Sequence, residues 1–495
     1  HWNELIEQLP LQDQGRAIRG GEGNPDIVDV TCDSRTVTPG MLYVSIPGLK
    51  KHGDSFIADA VAKGAGAVLS ENAQPSCGVP WAKVDNTRRI LGIVGKAVWA
   101  VDVSRILFVG ITGTNGKTTT AYLFQNLLGH VFGKSSVWMF GTVLYATGDE
   151  SVPAQRTTPE SADIFRSIGT ARHKPKAVVM EVSSHALSLD RIAGLSFDLA
   201  IWTNLTQDHL DFHSSMADYY GAKKRLFTEY LGKRGRAIIN VDDAWGKRLS
   251  RELGDVQQTT YGASDDAHVR IVNAKSTGQA TEITLGIGGE TTHLSTKLAG
   301  YFNAYNMAAL VAGARALSID MSAIKRSFET MGKIPGRMER VELEADFSVF
   351  VDYAHTPDAL DNMLASARAL TRGRLLCVFG CGGDRDKTKR PLMARAVARH
   401  CDEAIITSDN PRCEKPEAII DDILKGIPLD FPHVSIVDRR EAIRKALAAA
   451  RAGDCLVVAG KGHEDYQEIG NVRRHFDDRE TIMELFAEAK KNRAA

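Results

Sequence analysis

The stretch that most constrains this chain is RILFVGITGTNGKTTTAYLFQNLLGH, residues 105–130. An apolar, β-favouring run feeds a glycine-spaced turn, and the turn opens directly into a helical pattern headed by Lys117 and Thr118. That order is the architecture of a phosphate loop: glycines let the backbone N–H groups face inward, a lysine supplies charge, and a hydroxyl can reach a metal. The match to G-x-x-x-x-G-K-[ST] fails at one place, because Ile111 stands where the first glycine belongs and the glycines fall at 110, 113 and 116. The half that carries the chemistry, Gly113, Thr114, Asn115, Gly116, Lys117, Thr118 and Thr119, is intact. The competing reading, a glycine turn beside a solvated lysine, explains an isolated G-K-T but not the whole strand, turn and helix.

Around this loop the pattern divides into three parts. Residues 1–103 read as a short α/β unit, with DIVDVTCDSR and GMLYVSIPG as strands and FIADAVAKGAGAVLS as a helix leading to a strand. Residues 104–335 hold further buried-strand candidates at AVVMEVSS, FDLAIWTNL and RAIINVDD, which implies a mostly parallel sheet. Between about Val256 and Leu298 the Thr- and Gly-rich alternation predicts an antiparallel insertion or side sheet. Residues 336–495 alternate strand and helix through FSVFVDYA, RLLCVFGCG, EAIITSDN, HVSIVD and DCLVVAGKG, the pattern of a Rossmann-like doubly wound sheet with ligands at the carboxyl ends of its strands. The fold class expected is therefore α/β in three domains, with a central P-loop ATPase-type sheet.

Charge and composition limit the partners. The 61 basic and 61 acidic residues cancel, so no global field draws the chain to nucleic acid or to an anionic membrane. No apolar run approaches the roughly 18 residues that span a bilayer. HWNELIEQLP has neither the charged start nor the apolar core of a signal peptide, so a cytoplasmic protein is expected. The seven cysteines form no C-x-x-C pair; Cys377 and Cys381 lack zinc-site companions and read as ordinary thiols of a reducing compartment.

Other polar clusters fall at strand ends. MEVSSHAL places Glu181 there, and TNLTQDHLDFH places Asp208, His209, Asp211 and His213 just beyond another run. Carboxylates and imidazoles in such positions can surround the Mg²⁺ of a triphosphate site, although either motif alone is as readily a satisfied polar loop.

The segments GTNGKTTT, EVSSHAL, TNLTQDHLDFH, GAKKRLF, LAGYFNAYNMAAL, IPGRMER and VDYAHTPDAL, in this order, resemble the Mur ligase family. Its members are ATP-dependent enzymes that add amino acids to the peptide of a peptidoglycan precursor. GCGGDRDKTKRPLM, SDNPR and AGKGHEDYQ resemble the members that take meso-diaminopimelate. The resemblance covers nearly the whole chain and is strongest from residue 106 onward. It implies a UDP-substrate-binding first domain, a central ATP-binding domain and an amino-acid-binding last domain, acting as a monomer on small molecules.

The resemblance also assigns roles. Lys117 serves the phosphates, Thr118 and Glu181 the first Mg²⁺, and His209 and a carbamylated Lys223 the second, with Lys117, Glu181, His209 and Lys223 the catalytic group. By residue pattern alone Lys223 reads as an exposed helical lysine, with Lys224 beside it. Asn306, Arg337 and Asp352 are implied at the adenine, phosphate and ribose of ATP; His355 lies nearby without a role. For the UDP-muramoyl-dipeptide the implied residues are Cys32 and Ser34 in CDSR, Leu49, Lys50 and Lys51, and Thr157, Thr158, Ser183 and Arg191. Arg156 and Leu189 depart from the family pattern, which has Asn and Gln there. For diaminopimelate they are Arg385, Asp409, Asn410, Pro411, Arg412, Gly460 and Glu464. Two alternatives stand beside this reading: the same ligase type using L-lysine or another diamino acid, and a P-loop switch in which no amide bond is made.

Overall fold

The computed structural model describes residues 1–9, 19–48, 51–74, 77–470 and 472–494. By density of internal packing it parts into two compact units. The first comprises residues 1–112, 128–200 and 222–237, and the second residues 113–127, 201–221 and 238–495.

The first unit carries a five-stranded sheet in the order Arg19–Gly20, Trp81–Lys83, Ala67–Ser70, Met41–Val44, Asp29–Thr31. All its pairings are parallel except that of the short first strand. Val30, Leu42, Val44, Ala67, Leu69 and Ala82 fill one face, packed by the helix Thr87–Val98; Tyr43, Val68 and Trp81 fill the other. Asp29 ties this sheet to later segments of the same unit, accepting Trp99 Nε1 at 2.9 Å and Arg166 Nε at 2.7 Å. The strand Leu107–Thr112 then pairs in parallel with Ala177–Glu181, which pairs in parallel with Val137–Phe140. A hairpin not read from the sequence, Leu144–Thr147 and Glu150–Pro153, extends this edge antiparallel. Glu181 ends its strand level with Ile111, so it stands at the carboxyl end of this sheet.

In the second unit the Thr- and Gly-rich segment is an antiparallel meander, Val269–Ser276, Thr281–Ile287 and Glu290–Thr296. It pairs in parallel with Gln258–Gly262, so the segment joins a larger sheet rather than forming a side sheet of its own. The last 160 residues form a six-stranded sheet in the order Glu339–Val341, Ser348–Asp352, Cys455–Ala459, Leu375–Phe379, Glu403–Ile406, His433–Ser435. Only the first pairing is antiparallel. The helices Pro357–Leu370, Lys389–His400 and Pro416–Leu424 cover one face through Leu360, Met363, Val397 and Ile420. Arg439–Ala449 and Asp478–Ala494 cover the other through Ile443, Ala446, Ile482 and Leu485. This is the doubly wound arrangement expected of alternating strand and helix.

One departure matters for the site. After DCLVVAGKG the chain does not go straight into its last helix but first makes a hairpin, Tyr466–Ile469 with Val472–His475. The hairpin docks on the SDNPR loop: Arg412 N donates to Glu468 O at 3.0 Å and Gly470 N to Arg412 O at 2.7 Å.

Candidate active site

In the second unit the phosphate loop is built around Gly113 and Gly116, both at positive φ, 148° and 85°. A Cβ on Gly113 would run into Thr203 Oγ1, and one on Gly116 would stand 2.7 Å from Asn306 Oδ1. The loop therefore accepts only glycine at these places. Thr203 Oγ1 donates to Asn115 O at 2.6 Å, Asn204 Oδ1 accepts Asn115 N at 2.9 Å, and Thr114 N donates to Asn204 O at 2.8 Å. TNLTQ thus braces the loop from beside it. Lys117 Nζ donates back to Gly113 O and Thr114 O, at 2.9 and 2.7 Å, so its charge lies over the turn.

The nucleotide candidates gather on the same loop. Asn306 is buried, its Oδ1 accepting Thr120 Oγ1 at 3.2 Å and its Nδ2 donating to Asn303 Oδ1 at 3.0 Å. Arg337 donates to Thr118 Oγ1 at 2.8 Å and lies 4.8 Å from the Tyr353 ring centre. Asp352 is buried, accepting Met338 N at 2.6 Å and Ala354 N at 2.7 Å; burial pushes its carboxyl up and Arg337 pulls it back. Thr119 is buried at the helix start. A residue not foreseen joins them, because Asn115 Nδ2 donates to Asp358 at 2.7 Å.

His209 sits at φ +56°, and its ring meets Tyr219 edge-on at 5.9 Å; Tyr219 OH is in turn 3.2 Å from Thr114 Oγ1. Asp208 beside it is 4% exposed and pairs with the buried Lys389 at 3.2 Å. Burial alone would raise the Asp208 carboxyl, but Lys389 above all, with His209 and His355, holds it far below the usual carboxylate range.

The first unit holds the rest of the predicted metal set, Glu181 and Lys223. Glu181 is buried and accepts both Thr142 N, at 2.8 Å, and Thr142 Oγ1, at 2.9 Å. Lys223 is not the exposed helical lysine of its pattern: in the helix Met216–Thr228 it is 1% exposed, whereas Lys224 is only half-buried. The packing of that helix, invisible in four adjacent letters, separates the two lysines.

Three of the muramoyl-peptide candidates, Thr157, Thr158 and Ser183, lie beside Glu181 and its partner Thr142. Thr158 Oγ1 donates to Glu181 O at 2.8 Å and accepts Ser183 N at 3.0 Å, and Thr157 Oγ1 lies 3.2 Å from Thr142 Oγ1. Arg191 stands 3.3 Å from the buried Glu160, which also pairs with the exposed Arg156 at 3.1 Å. Leu189 is the C-cap residue of the short helix Ser184–Ser188. Ser34 is buried, and Cys32 has its thiol pushed up to about 12 by burial, Glu160 and Asp163. Lys51 is exposed; Leu49 and Lys50 lie outside the described residues. All seven cysteines are free thiols.

The amino-acid candidates meet at the carboxyl edge of the six-stranded sheet. Asp409, Asn410 and Pro411 are buried, and Asn410 Nδ2 donates to Glu464 at 2.7 Å. Gly460, at φ +111°, leaves room for Asp409, whose Oδ2 would lie 2.5 Å from a Cβ there. Arg412 adopts φ +50°, unusual for a side-chain-bearing residue. Its Nη1 donates to Gly383 O at 2.9 Å, and its Nε stands 3.7 Å from Glu468. Arg385 is exposed and donates to Asp384 O at 2.8 Å. Carboxylates and a guanidinium held together suit a ligand bearing both an ammonium and a carboxylate.

A glycine-built phosphate loop, together with an open doubly wound sheet that gathers polar side chains at its carboxyl edge, is the equipment of a nucleotide-dependent α/β enzyme. The family is shown by three matches: residues 26–99 to the Mur ligase family catalytic domain, 111–314 to the Mur ligase middle domain, and 336–462 to the Mur ligase glutamate ligase domain. A UDP-N-acetylmuramoyl-L-alanyl-D-glutamate–2,6-diaminopimelate ligase of Gloeobacter violaceus is 44% identical, over 94% of this chain and 95% of its own. The enzyme of the same name numbered 1 in Clostridium acetobutylicum is 40% identical, over 94% and 96%. A solved structure of such a ligase superposes with a TM-score of 0.65 at 31% identity, over 94% of this chain and 95% of that one. The MurF ligase of Thermotoga maritima, solved in complex with ADP, shares the fold with a TM-score of 0.65 at 17% identity, over 94% and 98%. The chain belongs to the Mur ligase family, and its α/β architecture in three domains is that family's.

The Asp208–Lys389 pair gives a stability test whose sign is fixed. A carboxyl depressed in the folded state contributes stability above its unfolded value, near about 3.9, and loses it as pH falls toward the folded value. Lys389→Met leaves Asp208 buried without its cation and should cost about 3–5 kcal/mol near neutrality. That penalty should shrink toward about pH 4, where Asp208 in the variant takes up a proton. Denaturant unfolding at both pH values checks this, and an equal penalty at both would rule the pair out as its source.

Proposed function

We propose that this chain is the ATP- and Mg²⁺-dependent ligase that joins meso-diaminopimelate to UDP-N-acetylmuramoyl-L-alanyl-D-glutamate in peptidoglycan precursor synthesis, working as a cytoplasmic monomer. The observation that carries the choice of amino acid is the pocket of Asp409, Asn410, Arg412 and Glu464. meso-Diaminopimelate differs from L-lysine by a carboxylate on its far carbon, and a guanidinium grips a carboxylate through two parallel hydrogen bonds that a point charge cannot reproduce. Asp409 and Glu464 are the counter-charges for the ammonium on that same carbon. Arg385, Pro411 and Gly460 complete the pocket by charge and shape.

The γ-phosphoryl group passes from ATP to the free D-glutamyl carboxylate. The bond to ADP breaks as the acyl phosphate forms. The amine then attacks the acyl carbon, loses a proton, and inorganic phosphate leaves as the amide bond is made. Lys117 balances the charge of the β- and γ-phosphates, and Asn306, Arg337 and Asp352 hold the adenine, phosphate and ribose of the nucleotide. Cys32, Ser34, Leu49, Lys50, Lys51, Thr157, Thr158, Ser183 and Arg191 hold the UDP-muramoyl-dipeptide. The domains that divide this work are residues 1–103, 104–335 and 336–495.

The donors proposed for magnesium are Thr118 and Glu181 for one ion, and His209 and a carbamylated Lys223 for the other. Among the described residues no three His, Cys, Asp or Glu side chains form a metal cage. Mg²⁺ keeps several waters and is bound by few protein groups plus substrate phosphates. When bound, it would neutralise phosphate charge.

The function is tested by measuring ATP turnover with each substrate omitted and kcat/KM for both diamino acids. Turnover should require the UDP-dipeptide, and wild type should prefer meso-diaminopimelate. Arg412→Ala should lower its use by about 2–5 kcal/mol, with much less effect on residual lysine use. Fast turnover with nucleotide alone would favour a switch instead, and equal loss of both amino acids would remove Arg412 as the specificity residue.

A second variant tests the modified lysine. Lys223→Ala should nearly abolish ligation while leaving UDP-substrate binding intact, and a short carboxylic acid in solution should partly restore activity. Near-normal turnover of that variant would overturn the carbamate.

A further inference from the structure

Lys461 comes directly after Gly460 in GKGHEDYQ, at the carboxyl end of the strand Cys455–Ala459, and the proposed reaction leaves it unused. Its side chain is 0% exposed. Lysine is almost never so deeply buried unless its charge is paired. The partners are specific. Nζ donates to Asn410 Oδ1 at 3.2 Å, stands 3.5 Å from Glu464 Oε2, and lies 5.4 Å from the Tyr466 ring centre. Asn410 closes the triangle by donating Nδ2 to the same Glu464 oxygen at 2.7 Å, and its Oδ1 also accepts Glu468 N at 2.9 Å.

This arrangement permits one orientation of the Asn410 amide. Flipped, its NH₂ would face both an ammonium and a backbone N–H, and its oxygen would face a carboxylate. Lys461 thus stands behind two pocket residues and fixes both. Gly460, immediately before it, leaves the space that Asp409 occupies.

We infer that Lys461 is a positioning residue of the amino-acid pocket, holding the Asn410 amide and the Glu464 carboxylate in the geometry and charge that a ligand ammonium requires, without touching the ligand. This role rests on the proposed function, in which Asp409, Asn410, Arg412 and Glu464 take the diaminopimelate.

The electrostatics supply a distinctive signature. The Glu464 carboxyl is raised by burial first and by Asp409 next, and is drawn back down by Lys461, Asn410 and Arg412. Tyr353 also faces it, with its hydroxyl donating at 3.5 Å, as do Tyr466 and the buried Arg439. Glu468, 3.7 Å from Arg412, adds a further negative charge nearby. A carboxyl raised in this way gains a proton as pH falls through its value, and with the proton it loses its hold on an ammonium. KM for the amino acid therefore climbs on the acid side. Without Lys461 one of the lowering influences is gone, and that climb begins at higher pH.

The experiment is kcat and KM for meso-diaminopimelate across roughly pH 5.5–9 in full-length wild type, Lys461→Met and Lys461→Arg. Lys461→Met should raise KM about tenfold near neutrality, the worth of one charge-assisted hydrogen bond, and shift the acid limb of 1/KM upward while kcat at saturation changes little. Lys461→Arg, which keeps the charge, should return the limb toward its wild-type position. A KM rise that is the same at every pH marks a merely structural lysine and overturns the inference, as does an unchanged KM or a loss confined to kcat. Should Lys461→Met not fold, Glu464→Gln decides: its acid limb should vanish, and a limb that stays in place overturns the inference. Arg412→Ala separates the role of Lys461 from the function on which it rests. If it loses both amino acids equally the diaminopimelate pocket fails, whereas if it is selective and the Lys461 variants keep the wild-type limb, only the role of Lys461 fails.

Discussion

The phosphate loop depends on Gly113 having no side chain. Thr203 Oγ1 occupies the place a Cβ would take and from there donates to Asn115 O at 2.6 Å, so the turn and its brace exclude any larger residue. Asn204 repeats the hold on Asn115 N and accepts Thr114 N. With the loop fixed, Lys117 and Thr118 begin their helix at a set point. Thr118 then meets Arg337 and Asn115 meets Asp358, two residues more than 200 positions away in the chain. The departure from the usual phosphate-loop spacing is thereby explained: Ile111 is a fully buried strand residue paired with Glu181, and the turn begins only at Gly113.

Buried charge is the second theme, and in each case it is compensated locally. Arg439 and Asp478 are both 0% exposed and form a two-pronged pair, while Arg439 also donates to Ala459 O at 3.0 Å and Ser408 O at 3.4 Å. Those carbonyls immediately precede Gly460 and Asp409, so a single guanidinium anchors the two loops of the amino-acid pocket. The buried Arg390 likewise pairs with two carboxylates, Glu414 and Asp422. Ion pairs of this kind contribute little net stability against apolar substitutes, and what they supply here is fixed position.

Of the seven non-glycine residues at positive φ among the described residues, two fall where the chemistry is proposed, His209 at 56° and Arg412 at 50°. Such residues cost of order 1–3 kcal/mol each and persist only where their surroundings over-determine them. For Arg412 the surroundings are the hairpin Tyr466–His475, which holds its backbone on both sides, and Gly383 O, which holds its side chain.

The sequence by itself determined the phosphate loop and the main alternation of strands and helices, but not the hairpins at 144–153 and 466–475. The loop and the alternation rest on local signals: apolar periodicity, glycine spacing, and motifs whose residues are neighbours in the chain. Only the tertiary structure decided that Lys223 rather than Lys224 is buried, that the Thr- and Gly-rich segment joins a larger sheet, and that a hairpin rather than a helix comes after DCLVVAGKG. It alone decided that Asp358, Lys389 and Lys461 belong beside residues far from them in sequence. The reason is physical: burial and charge pairing depend on which faces pack together, and that is set by long-range sheet order, to which no short window of sequence has access.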